Sequence, residues 1–271
     1  MPAPADPPSA TRERTMAHIV IHQFPCLSDN FGVLVHDVAS GATAAIDAPE
    51  ADKVGAALAA KGWRLSHILI THHHDDHTAG IAALKAASKA IVIGPKAEAA
   101  KIAGLDRMVA EGDTIRLGET TVDVLETPGH TAGHVSYLLR GNAAAFVGDT
   151  LFSLGCGRLV EGDARMMWRS LRKLSRLPAE TALYCGHEYT AANARFALQV
   201  EPGNATLVAR AAEVDELRRD GKPTLPTTLG AELAANPFLR PSSVEIRRTL
   251  GMAAAEDWQV FAELRERKNR A

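Results

Sequence analysis

The sequence predicts an α/β fold in which two packed sheets with helices outside them precede a smaller all-helical domain. Two observations carry this expectation. From about residue 18 to residue 185, short apolar runs separated by turn residues alternate with a few stretches of helical period. Beyond His187 only helical periods remain, broken by loops at Pro202, Pro223 to Pro226 and Pro237. Sheets and helices with one apolar face must bury it, so sheet on sheet with helices outside is the natural packing.

The opening MPAPADPPSATRERT is rich in Pro and Ala and has no apolar stretch. It therefore reads as neither a secretory signal nor a membrane span, and residues 1–16 are expected to be a disordered extension. HIVIHQF, GVLVHD and ATAAID follow as strands, with Ser28-Asp29-Asn30 and Ser40-Gly41 as turns, which makes the opening antiparallel. A helix over 50–61 stops at Gly62, SHILI is a strand, and 78–87 is a second helix. AIVIG, TIRLG, TTVDVLET, VSYLLR and AAAFVG are further strands, 164–177 is a helix, and TALYC is the last strand. No strand is evident after Cys185. TAANARFALQV, GNATLVARAAEVDELRRDG, SSVEIRRTL and AEDWQVFAELRERK are helical in period. The expected division is 17–188 for the mixed domain and 189–271 for the helical one.

Composition bounds the partners. The 271 residues, 46% hydrophobic and 23% charged, suffice for a sizeable core. Lys+Arg 30 against Asp+Glu 32 gives a net charge of -2, which supplies no general pull toward nucleic acid or anionic lipid, so neither partner is expected. Cys26, Cys156 and Cys185 are too scattered for a disulfide framework or a zinc knuckle, and a reducing cytoplasm fits them. The thiols of Cys156 and Cys185 have no base fixed beside them in the sequence and are read as buried structural groups.

The chemistry concentrates at THHHDDH, residues 71 to 77, directly after a strand. His72 and His74 can share one side of an extended stretch, while Asp76 and His77 sit where the chain bends into a helix. One loop then feeds two adjacent sites. A single zinc-like ion takes three or four ligands at about 2 Å, which leaves part of this cluster idle; two ions employ it fully. His73 and Asp75 are read as spacers, and His67 as strand-end packing.

Further ligands must come from other strand ends. Thr127-Pro128-Gly129-His130, Gly148-Asp149-Thr150 and Gly186-His187-Glu188 qualify, each with a glycine that lets the backbone turn before the polar side chain. Taken singly, His130 can cap a turn, Asp149 can form an Asx-turn and His187 can be a satisfied core histidine. Together with THHHDDH they lie at one topological edge.

This pattern resembles the metallo-β-lactamase fold, an αββα sandwich with its metals at one edge. TPGHTAGHVSY, VGDTLFSLGCGRLVEG, YCGHEYTAANARFALQVEPGN and LPTTLGAELAANPFLR narrow the resemblance to the hydroxyacylglutathione hydrolases, or glyoxalase II family, from about residue 17 onward. The resemblance implies that His72, His74 and His130 hold one divalent ion, that Asp76, His77 and His187 hold the other, and that Asp149 bridges them. Zinc is implied, and the mixed His and carboxylate set also suits iron or manganese. It implies a glutathione thioester as substrate, with Arg158, Leu159, Val160, His187, Glu188 and Tyr189 along the glutathione groove. Arg265 and Lys268, three apart on the last helix, would reach the glycine carboxylate; without the resemblance they read as a solvated helix face. Related sequences often carry Lys and an aromatic at 158 and 160, and Gly where Ala79 stands.

The implied activity is hydrolysis of S-(2-hydroxyacyl)glutathione, typically S-D-lactoylglutathione, to glutathione and D-lactate by a monomeric cytoplasmic enzyme of methylglyoxal detoxification. Two ions about 3.5 to 4 Å apart lower the pKa of a shared water from about 15.7 toward about 7, so no Ser or Cys nucleophile is needed. A thiolate leaving group, of conjugate-acid pKa about 8.5, needs little help from a general acid. A persulfide dioxygenase with one iron and a non-catalytic relative of the same fold are the alternatives.

Overall fold

The computed structural model describes residues 12–16, 18–141 and 144–271. The first sheet runs in chain order through β1 (Arg12–Met16), β2 (Ile19–Cys26), β3 (Asn30–Asp37), β4 (Thr43–Ile46), β5 (His67–Leu69), β6 (Ile91–Pro95) and β7 (Arg107–Val109). The pairs up to β3/β4 are antiparallel, and β4 to β7 are parallel. Parallel neighbours need crossovers. Helices α1 (Ala51–Lys61), α2 (Asp75–Thr78) and α3 (Ile81–Ser88) lie on them.

The second sheet takes β8 (Thr114–Leu117), β9 (Thr120–Glu126), β10 (Val135–Leu139) and β11 (Ala144–Gly148) as an antiparallel series. A short hairpin, β12 (Leu151–Phe152) with β13 (Gly155–Cys156), and helix α4 (Ala164–Leu174) follow. The chain then returns as β14 (Ala182–Cys185), parallel to β11. Helices α5 (Thr190–Val200), α6 (Ala205–Arg219), α7 (Leu229–Ala235), α8 (Val244–Leu250) and α9 (Asp257–Arg270) complete the chain.

Three apolar layers explain why these elements stack. Between the sheets, Ile21, Val35, Ile46 and Leu69 meet Val122, Val124, Tyr137 and Phe146. Outside the first sheet, Leu34, Ile68 and Val92 are covered by Val54 and Leu58 of α1 and Ile81 and Leu84 of α3. Outside the second, Ala145, Val147 and Leu183 are covered by Met167, Leu171 and Leu174 of α4, and the same cluster continues into Phe196, Phe238, Phe261 and Leu264 of the C-terminal segment. The order is helix, sheet, sheet, helix, as expected, with the C-terminal helices packed beside α4.

Two expectations are corrected. Arg12–Met16 pairs along its whole length with β2, so this part of the supposed extension is a strand; RERTM has no apolar run to announce it, and its backbone ladder to a neighbour leaves no mark in the sequence pattern. The rest of that expectation, residues 1–11, lies outside the described residues. After Cys185 there is one further strand, β15 (Thr227–Thr228), antiparallel to β14 through Ala182↔Thr228 and Leu183↔Thr227. Two residues are too few for a periodicity.

Candidate metal centre and substrate pocket

Each suspected ligand follows the C-terminal end of a strand: His72 and His74 after β5, Asp76 and His77 in α2, His130 after β9, Asp149 after β11 and His187 after β14. The fold brings all seven to one place. His74 Nδ1 stands 3.1 Å from His72 Nε2 and 3.0 Å from His130 Nε2. The far nitrogens are engaged, His72 Nδ1 by the Thr71 hydroxyl at 3.0 Å and His130 Nδ1 by the Arg158 carbonyl at 2.9 Å. A carbonyl only accepts, so His130 donates from Nδ1 and turns its Nε2 toward the other two.

The second group is equally close. Asp76 Oδ2 lies 3.4 Å from His77 Nε2 and 3.3 Å from His187 Nε2. Behind these rings, His77 Nδ1 is 2.8 Å from Asp47 Oδ2 and His187 Nδ1 is 2.8 Å from Asp29 Oδ1. Asp149 stands between the groups, with Oδ1 3.5 Å from His77 Nε2 and Oδ2 3.5 Å from His130 Nε2 and 3.3 Å from His187 Nε2.

Electrostatics shows what the arrangement demands. Burial, then the neighbouring imidazoles of His77, His134, His130 and His74, hold His72 well below the ordinary histidine range, so its ring is neutral. Burial also opposes charge on His77 and His187, but Asp149 with Asp47 outweighs it at His77, and Asp149 with Asp76 holds His187 at about 10. The carboxylates therefore require positive charge here. Asp149 Oδ1 is buried without a hydrogen-bond partner, which is costly unless a cation meets it. Imidazole nitrogens converging on one point beside a carboxylate-rich one fit a binuclear divalent metal centre.

The glycines serve this crowding in different ways. Gly129 and Gly148 hold positive φ, at 148° and 45°, as a sharp turn requires. Gly186 does not adopt a positive φ, but a Cβ there would stand 2.5 Å from Asp149 Oδ1 and 2.7 Å from His77 Cε1.

Several supporting residues escaped the sequence reading. Asp47 accepts from the Thr71 N–H at 2.7 Å as well as holding His77. His134 is fully buried, accepts from the Asp149 N–H at 3.1 Å and stacks on His72 at 5.0 Å. Burial and His130 push it down to about 3, so it is a neutral brace. Its position in TAGHV, four residues after His130, was the one available signal. His73 is more than a spacer: its ring turns away from the centre to Glu98 at 2.8 Å.

Beside the centre lies a cavity of about 520 Å³ lined by His130, Asp149, Phe152, Tyr189, Arg158 and Lys268 among others. Tyr189 stacks on His187 at 4.7 Å and 4°.

Residues 32–187 match the sequence model described as the metallo-beta-lactamase superfamily, and residues 188–271 match hydroxyacylglutathione hydrolase C-terminus. A hydroxyacylglutathione hydrolase of Mesorhizobium japonicum is 56% identical over 93% of this chain and 98% of its own. Another, of Cereibacter sphaeroides, is 54% identical over 90% and 96%. The chain belongs to the hydroxyacylglutathione hydrolase family. Among solved structures, ETHE1 from Myxococcus xanthus superposes with a TM-score of 0.65 at 26% identity, covering 96% of this chain and 91% of that one. TTHA1623 in a di-iron-bound form gives 0.59 at 26%, covering 80% and 98%.

The residues expected along the groove separate. Arg158, Tyr189, Arg265 and Lys268 line the cavity. Glu188 does not: its carboxylate accepts from the Thr224 N–H at 2.7 Å and the Thr224 hydroxyl at 2.6 Å, and pairs with Arg218 at 3.6 Å. Leu159 packs against the core and Val160 is 58% exposed, both outside the cavity lining. Nor is the last helix a solvated face at these positions. Arg265 is 5% exposed and donates to the Cys156 carbonyl at 2.8 Å; Lys268 is half-buried and donates to the Ala192 carbonyl at 3.0 Å. All three cysteines are free and buried, and burial pushes the Cys156 thiol up to about 11, which rules against a thiolate nucleophile.

Proposed function

We propose that this chain hydrolyses the thioester of S-(2-hydroxyacyl)glutathione, S-D-lactoylglutathione above all, to glutathione and D-lactate. The observation that carries the reading is the placement of Asp149 between two ligand groups at the floor of a cation-rimmed cavity. His72, His74 and His130 would hold one ion, Asp76, His77 and His187 the other, and Asp149 would serve both. Zinc is the proposed metal. When bound, the ions supply a hydroxide nucleophile at neutral pH and Lewis-acid stabilisation of the tetrahedral oxyanion. A persulfide dioxygenase with one iron would leave Asp76, His77 and His187 without a use.

The chain's own residues bind and orient. Arg158 is exposed, and among the described residues no hydrogen bond or ion pair holds its guanidinium. With Lys268 and Arg265 it offers charge-assisted bonds to the two carboxylates of the tripeptide. Phe152 and Tyr189, 5.4 Å apart edge to face, provide an apolar wall. In this reading residues 17–188 carry the chemistry and residues 189–271 hold the substrate. Among the described residues no helix is long and apolar enough to cross a membrane; we place the enzyme in the cytoplasm, which suits its free thiols, as a monomer.

The test is the loss of thioester absorbance with S-D-lactoylglutathione, with metal analysis of the same preparation. Rapid hydrolysis that stops on chelation is expected. A metal-replete chain inert toward this substrate would sink the proposal.

A further inference from the structure

We infer that Glu98 is a positioning residue for the three-histidine half of the centre. It ties together the two loops that carry His72, His74 and His130, and so sets how tightly that half holds its cation independently of the other half. This rests on the binuclear reading above.

Glu98 ends a short 3-10 turn, Lys96–Glu98, after β6, and is 2% exposed. Each of its oxygens serves a different loop. Oε2 accepts from the His73 N–H at 2.7 Å and lies 2.8 Å from His73 Nδ1. Oε1 accepts from the Thr131 hydroxyl and from the Gly133 N–H at 3.0 Å. His73 lies between His72 and His74, and Thr131 follows His130. One buried carboxylate thus spans loops that are more than fifty residues apart in sequence, a span fixed by the 56 positions between His74 and His130.

An independent observation shows how closely Glu98 is accommodated. A Cβ at Gly133 would stand 2.5 Å from Glu98 Cγ and 2.8 Å from Ala97 Cβ. Position 133 is without a side chain where Glu98 must pass. The other half of the centre is braced differently, by Asp47 on His77 and Asp29 on His187, and the bonds of Glu98 reach neither ring.

The physical argument is one of preorganisation. Two histidines on one loop and the third on another bind an ion only as well as the loops keep their spacing. Partners behind metal ligands typically change affinity by about ten- to hundredfold. Loosening one loop against the other should therefore weaken one ion and spare its neighbour.

Zn2+-loaded wild type and variants are titrated with a chelator while the zinc released is counted. Glu98→Gln keeps the volume but turns an NH2 group toward the donors of one loop. It is expected to release one ion at roughly ten- to hundredfold lower chelator concentration, with the second ion unmoved. Asp29→Asn should move the other ion, and the double variant both, because Asp29 braces His187 and bonds neither loop that Glu98 ties. Thr131→Val, which removes a single donor, should give the same split at smaller size and keeps the test readable should Glu98→Gln fail to fold. Parallel release of both ions, or no change in either variant, overturns the proposal. A wild-type chain that holds one ion and cannot be refilled overturns the binuclear reading, and the proposal with it.

Discussion

Arg265 Nη1 donates to the carbonyl of Cys156 at 2.8 Å, tying the last helix to the β12/β13 hairpin at the edge of the cavity. The Arg265 side chain is therefore part of the frame as well as of the rim, whereas Lys268 is half-buried and bonds to the Ala192 carbonyl, also at the cavity. The two cations should fail differently. Arg265→Ala is expected to raise KM for the glutathione thioester and to lower stability by about 1–3 kcal/mol, the cost of an unsatisfied buried group. Lys268→Ala should raise KM roughly ten- to hundredfold with a smaller effect on unfolding, since removing a hydrogen bond to a charged group costs about 1.5–3 kcal/mol in binding. Steady-state kinetics beside denaturant unfolding checks both, with a small thioester lacking the carboxylates as control.

Lys268 also gives the enzyme a pH signature. Burial, then Arg265, Arg195 and Arg158, lower its pKa from the ordinary lysine value. The cation is present below that lowered pKa and is lost as pH rises through it. KM for the anionic thioester should accordingly climb on the alkaline side before an ordinary lysine, of pKa about 10.4, would titrate. Lys268→Arg should flatten the climb, because a guanidinium stays charged. An unchanged KM profile in that variant would remove Lys268 from the binding step.

Asp149 is the ligand whose loss should cost most. Its Oδ2 approaches a histidine of each group, at 3.5 and 3.3 Å, so Asp149→Ala strips a partner from both ions. Activity should fall by more than about a hundredfold, the upper range for partners that merely support a ligand. Metal content should fall below that of the wild type measured in parallel. Near-normal metal content and activity would count decisively against a bridging role.

Asn236 should matter to stability. Its Nδ2 donates to the carbonyls of Phe152 and Gly155, both at 3.0 Å, and to Glu232 at 2.9 Å, while Glu232 accepts from the Leu154 N–H at 2.7 Å. Asn236→Ala leaves buried hairpin carbonyls unpaired and is expected to cost about 1–3 kcal/mol. Equilibrium unfolding in urea would show it, and a midpoint equal to wild type would mean that other donors replace the amide.

What the sequence disclosed and what it withheld follow from range. THHHDDH was legible because ligands for both ions are packed into seven consecutive residues at a strand end, and the strands themselves because their apolar runs are local. Asp47, Asp29 and Glu98 were not, because each works on a partner 25 to 158 positions away and none has a distinctive neighbour. Glu188, which the family resemblance put along the groove, shows the same limit of range: Thr224, 36 residues on, holds its carboxylate.

The pairing of Thr227–Thr228 with β14 has a bearing on assembly as well as on architecture. Without that pair, β14 would end the second sheet as a buried, apolar strand, Ala182–Cys185, with one row of amides and carbonyls open. Open rows of this kind recruit strands from other molecules. The C-terminal segment therefore acts as a guard on the sheet margin. A chain cut after His187 should keep most of its sandwich sequence and yet precipitate, its exposed margin templating contacts between copies.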